Sequence, residues 1–262
     1  NDAGQVAHRT TLGNGKVGVF LSTPSIHWRG GSSGWADAAN WTFGAVPSPG
    51  NNVAIDPVGT ATVSPPSGVT NIRRLTVGNR TDATTLSIPG DASISTARGT
   101  FVSANSFLSG AGDLVGGLTV EGMHLRHVES GGALSGDLRY LSSGRLQITL
   151  SKNNTLAAPA NIAALVIDPG AAIDISMDGP ESEIDSSLDF WEDIQTWRLF
   201  NALSVTGQFV VGSVSLDSLG SSLTAGLGQF SIRQTSKAVD LVWTPTQTLP
   251  TVTRPPNVLL PL

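Results

Sequence analysis

Cysteine is absent from the 262 residues. That excludes disulfide frameworks, thiolate zinc sites, iron–sulfur clusters and cysteine nucleophiles. Charge is scarce as well: Asp, Glu, Lys and Arg make up 13% of the chain, about half the quarter usual in soluble domains. With 15 basic against 20 acidic residues and no basic block, nothing can neutralise a run of phosphates, so nucleic acid is not an expected partner. No stretch approaches ~18 uninterrupted apolar residues, so no membrane insertion of this chain is expected. Tyrosine occurs once and methionine twice. The first residue is Asn1 rather than Met, which fits a removed secretion signal or a trimmed chain.

What is present is glycine, at 30 residues, with an apolar content of 39%. That content suffices for a core and argues against a disordered chain. Short period-2 segments run through the middle of the chain: Val53-Ala-Ile55, Leu75-Thr-Val77, Leu86-Ser-Ile88, Leu118-Thr-Val120, Leu146-Gln-Ile148-Thr-Leu150 and Ile173-Asp-Ile175. Turn signals separate them, among them Pro89-Gly90-Asp91, Gly116-Gly117, Ser143-Gly144 and Pro169-Gly170. Such segments read as half-buried strands. The triplet Leu-Thr-Val recurs 43 residues apart (75 to 118), two steps of roughly 21, and a soft period near 20 marks a solenoid. Rungs ~4.8 Å apart would stack into a rod roughly 30–40 Å long. A β-sandwich is the competing architecture, since it too shows short strands with frequent turns.

One segment has helical spacing. Leu188, Phe190/Trp191, Ile194, Trp197 and Phe200 fall at helical intervals, with Ser186 or Ser187 as the cap, and predict a short helix near 186–200 covering an open strand edge. From Thr244 to Leu262 five prolines recur, predicting an extended arm. The resulting plan is an N-terminal arm and Trp-rich cap over 1–52, β-helix coils over 53–180, the helix and closing strands over 181–243, and a Pro-rich tail over 244–262.

Trp28-Arg-Gly30, Trp35, Asn40-Trp41-Thr-Phe-Gly44, Val46-Pro47 and Pro49-Gly50-Asn51-Asn52-Val53-Ala-Ile55 together resemble the tryptophan-rich opening module of large bacterial secreted proteins with autotransporter-type β-strand repeats. Leu108-Ser-Gly-Ala-Gly-Asp-Leu114 is similar to the coils of those repeats, and Gly226–Thr235 with Val239–Trp243 to their closing strands. The resemblance implies an all-β, right-handed parallel β-helix, secreted or displayed at the cell surface, in a family used for adhesion, surface layers and extracellular matrix. The residues support the cap without the family. Three Trp among small residues can lay broad apolar rings over a first open coil. Their alternative role is a glycan platform made by Trp28, Trp35 and Trp41.

Polar clusters are few. His124 and His127 stand at i,i+3, which on a strand puts them on opposite faces. Asp174, Asp178, Glu181, Glu183, Asp185, Asp189, Glu192 and Asp193 form an acidic stretch in which Ca²⁺ is the one candidate metal, although no EF-hand or β-roll repeat is present; no cofactor is expected. On the central coils Asp113, Glu121, Glu129 and Asp137 form no closely spaced carboxylate pair of the kind a polysaccharide hydrolase or lyase needs. Asn40, Asn79 and Asn153 open glycosylation sequons.

The expectation is therefore a structural protein without enzyme activity. Copies of this chain would build a filament, surface layer or matrix, with Val258, Leu259, Leu260 and Leu262 at the end of the tail making subunit contacts. A glycan-binding adhesin that holds surface polysaccharide is the alternative, and a polysaccharide-degrading enzyme the second.

Overall fold

The computed structural model describes residues 6–127 except 12, 23 and 32, and residues 132–150, 160–177, 189–216, 221–222 and 228–246. Among these 59% of residues are in strands and almost none in helix, and the chain is wound into a parallel β-solenoid of about six turns. The sandwich alternative is overturned, because successive strands on each face pair in parallel.

A complete coil visits three faces in order. The second coil runs through Asn52–Ile55 on the first face, Ala61–Ser64 on the second and Gly68–Ile72 on the third. Coils opening at Arg74–Val77, Thr100–Val102 and Leu118–Val120 repeat the circuit. Among the described residues the third face ends at Leu134–Ser135. Beyond it the first face continues through Leu138–Tyr140, Ala160–Ile167 and Gln195–Thr206, and the second through Arg145–Leu150, Ala172–Met177 and Val210–Leu216.

Register explains the sequence period. Val53 pairs with Leu75, Leu75 with Thr100, Thr100 with Leu118, Leu118 with Leu138, Leu138 with Leu165, and Leu165 with Val205. The two Leu-Thr-Val triplets thus stand two coils apart, separated by one long and one short coil rather than by two equal steps. Two residues on, Ile55, Val77, Val102, Val120, Tyr140 and Ile167 make a second inward column, and each is buried. Each such side chain contributes about 1.5–3 kcal/mol relative to exposure.

Corners need glycine where the chain turns tightly against the coil below. Gly110 has φ +104°, and a Cβ there would sit 2.1 Å from the Ile88 carbonyl oxygen. The Gly110–Asp113 fragment is therefore such a corner, and Asp113 accepts a hydrogen bond from the Ala133 amide.

Three expectations change. The helix near 186–200 shrinks to one turn, Asp189–Glu192, and Gln195–Thr206 is a strand. Trp197 and Leu199 are buried while Thr196 and Arg198 are exposed, so a period of two wins once neighbours lie along both edges of the segment. Ser186 and Ser187 lie outside the described residues. The solenoid also exceeds 53–180: its first rung is Ser25–His27 with Ser33–Gly34, inside the cap, and Val210–Leu216 still stacks on Ala172–Met177. Finally, Ala238–Pro245 is a strand, so Thr244 and Pro245 belong to the fold and not to the tail.

One polar pair interrupts the interior. His124 falls in the inward column of the second face, between Leu108 and Leu146, and its Nδ1 lies 2.8 Å from the Tyr140 hydroxyl one coil on. Both residues are buried. A buried polar group costs little only while its partner stays. Tyr140→Phe should lower stability by about 1–2 kcal/mol, read from the urea midpoint at unchanged slope; an unmoved midpoint would show that the bond contributes nothing.

Candidate functional site

The groups with most to say about function lie at the two ends of the solenoid. At the start, Trp28, Trp35 and Trp41 are 2%, 1% and 1% exposed. The Trp41 ring meets Trp28 and Trp35 edge-on, with centroids 4.8 Å apart in both pairs. Trp41 Nε1 donates to the Trp35 carbonyl at 2.8 Å, and Trp28 Nε1 to Gly31 at 3.0 Å. The Trp28 and Trp35 amides donate to the carbonyls of Ala54 and Ser64 on the next coil. These rings present no face to solvent, so a sugar cannot stack on them; burial corrects the glycan-platform alternative for all three. Phe43 is what the cap exposes: it is 75% accessible and held at φ +68°. Ahead of the cap, Val6–Thr11 and Val17–Ser22 form a separate antiparallel pair.

At the far end the chain reverses. Ala238–Pro245 pairs antiparallel with Gln195–Thr206, and Gly228–Gln234 antiparallel with Ala238–Pro245. Aromatic rings fill the space beneath. Trp243 is fully buried against Trp191 and Phe230, with centroids 5.6 and 5.0 Å away, and its Nε1 donates to the Trp191 carbonyl at 2.9 Å. Asp240 ties the three strands together, because its buried carboxylate accepts from Arg198 of one neighbour and from Arg233 of the other. The outermost strand, Gly228–Gln234, has no partner on its other side among the described residues.

The acids read from the sequence are dispersed into separate contacts. Asp174 accepts from Arg145 at 3.1 Å and from the Ser213 amide and hydroxyl at 2.7 and 2.8 Å. Glu121 pairs with Arg80, and Asp168 with Arg139. Among the described residues no three His, Asp or Glu are grouped to hold a metal ion. Asp178, Glu181, Glu183, Asp185, Glu129 and Asn153 lie outside those residues, as do Val258, Leu259, Leu260 and Leu262. The strand that carries His127 is described but its side chain is not.

Asn79 is committed to the fold. Its amide donates to the Pro57 carbonyl and to Asp82, while its oxygen accepts from the Thr81 and Asp82 amides. That hydrogen bond from Asn79, helped by the Gly59 amide, holds the Asp82 carboxyl below its ordinary value.

The class defined by this architecture is a three-faced parallel β-solenoid with unlike ends. Comparison with family models, curated proteins and solved structures returns no match.

Two outcomes are expected. Trp41→Ala should cost about 3–5 kcal/mol in thermal unfolding by removing the ring shared by both cap contacts. Asn79→Ala should move the Asp82 titration up toward that of an ordinary aspartate, measured by carboxyl NMR; an unchanged titration would remove the amide as its cause.

Proposed function

We propose that this chain is a secreted structural protein, a β-solenoid subunit that self-associates through its ends into an extracellular filament, layer or matrix. The observation that carries the reading is the outermost strand, Gly228–Gln234. It ends a ten-stranded sheet and offers seven residues of backbone with no partner on one side among the described residues. Such an edge adds a further strand through main-chain hydrogen bonds. The opposite end is built differently: its first rung has strands of only three and two residues, and ahead of it stands the two-stranded pair Val6–Thr11 and Val17–Ser22, which can dock on such an edge. Two unlike ends favour head-to-tail contact, which does not close and so extends. The pairing of Glu121, Asp168, Asp174 and Asp240 into structural contacts and the low charge content of the chain agree with a scaffold role. The opening module's resemblance to secreted repeat proteins supports the location.

Gln229 and Ser231 are exposed on the edge strand. Replacing both with Lys should leave the melting temperature within about 2 °C, since surface changes away from special features stay within ±0.5 kcal/mol. The same change should abolish polymers in negative-stain microscopy. Deleting residues 247–262, which spares every described strand, separates the tail's contribution from that of the edge. Polymers that persist in both variants reject end-mediated assembly.

A further inference from the structure

A groove of about 450 Å³ crosses the outer side of the first face, over the coils that begin at Arg74, Thr100, Leu118 and Leu138. Its shape follows from the register. The outward position before Leu75 is Arg74; the equivalent positions before Thr100, Leu118 and Leu138 are Gly99, Gly117 and Asp137. Two successive rungs thus lack a side chain, leaving a bare floor between Arg74 at one end and Asp137 at the other. The next outward column supplies one wall, with Phe101 beside Thr119 and then Arg139.

The two floor glycines differ in kind. Gly99 has φ +80°, and a Cβ there would press to 2.9 Å on the Gly117 carbonyl oxygen, so the backbone demands glycine. Gly117 has no positive φ, and its Cβ would meet nothing nearer than the Asp137 carbonyl oxygen at 3.5 Å. Folding therefore does not require the empty position at Gly117. Gly117 lies in the corner that leads into Leu118–Val120, and its missing side chain leaves the floor open to a close approach.

Charge identifies what approaches. Arg74 and Arg98 are both exposed at the groove, and neither forms an ion pair among the described residues. Arg139, by contrast, is held by Asp168 at 2.9 Å. An acidic chain of net charge −5 thus leaves two guanidiniums uncommitted at one end of a depression. Guanidinium is the group best matched to a carboxylate or sulfate. Asp137, at the opposite end, repels a uniformly anionic strand such as nucleic acid or an acidic peptide but accepts hydrogen bonds from hydroxyls. Phe101 offers an apolar surface to the face of a ring. Rungs ~4.8 Å apart are also close to the length of one extended hexopyranose residue.

We propose that this groove binds an acidic polysaccharide, with an anionic sugar at Arg74 and Arg98, a ring against Phe101 and a hydroxyl donating to Asp137. The site adds a ligand to the scaffold reading without resting on it, since binding is measured on the protein whether or not it polymerises.

The test is calorimetric titration of the full chain with a hyaluronan oligosaccharide (one carboxylate per disaccharide), a κ-carrageenan oligosaccharide (one sulfate per disaccharide), a neutral galactan oligosaccharide of equal length, and poly-Glu. Binding of either acidic sugar, at least about tenfold tighter than the neutral one and weakening with salt, is expected; the two acidic arms tell carboxylate from sulfate. Arg74→Gln with Arg98→Gln should weaken binding at least about tenfold. Gly117→Gln, which fills the floor without changing charge, should do the same, whereas Lys237→Gln on the end hairpin should not. Melting temperatures report that each variant is folded, and Gly117→Ala, with ordinary contacts, stands in if the glutamine is not tolerated. Equal affinity for the neutral sugar or for poly-Glu overturns the proposal. So does full affinity in the double arginine variant or in the folded glycine variant.

Discussion

Every feature of this molecule depends on one constraint: each rung must lie in register over the one before it. Backbone hydrogen bonds fix the vertical spacing, and the period of two then decides which side chains point inward. A slip of one residue would turn Leu75, Leu118 and Leu138 out to water and bring Arg74 and Asp137 into the core. The columns of Leu, Val and Ile are the reason the stack has one register, and the positive-φ glycines at the corners are the reason it can turn.

Inside the stack His124 meets Tyr140 on the neighbouring rung, whereas the buried Thr84 and Thr100 hydroxyls have no hydrogen-bond partner among the described residues. At the ends of the described stack, bulky rings stand in for a further rung. Trp28, Trp35 and Trp41 close the first coil, while Trp191, Trp197, Phe230 and Trp243 fill the last. Six tryptophans in the whole chain, divided between the two ends, mark where stacking stops and capping begins.

Much of the stack was legible in the residues. The alternation, the recurrence of Leu-Thr-Val and the glycine turns all point to parallel coils, and the opening Trp residues point to a cap. The failures have physical causes. Residues 188–200 carry apolar positions that suit a helix, and only neighbours on both sides of Gln195–Thr206, distant in sequence, select the strand. The cap's Trp residues looked available for sugar because a sequence does not show which ring covers which. The groove was invisible for a related reason: Arg74, Gly99, Gly117 and Asp137 become adjacent only through register, and coils of unequal length hide that register from any fixed period. The His124–Tyr140 contact was hidden in the same way, because its two members lie on different faces of successive coils.

The antiparallel turn at the far end also governs how the molecule would carry mechanical load. Within the solenoid all strands of a face run the same way, so tension along the axis is shared by rung after rung of similar bonds. Gly228–Gln234 and Ala238–Pro245 break that sameness, and another copy cannot continue the winding across them. In any end-to-end chain of subunits the junctions would therefore differ in bonding from the interiors.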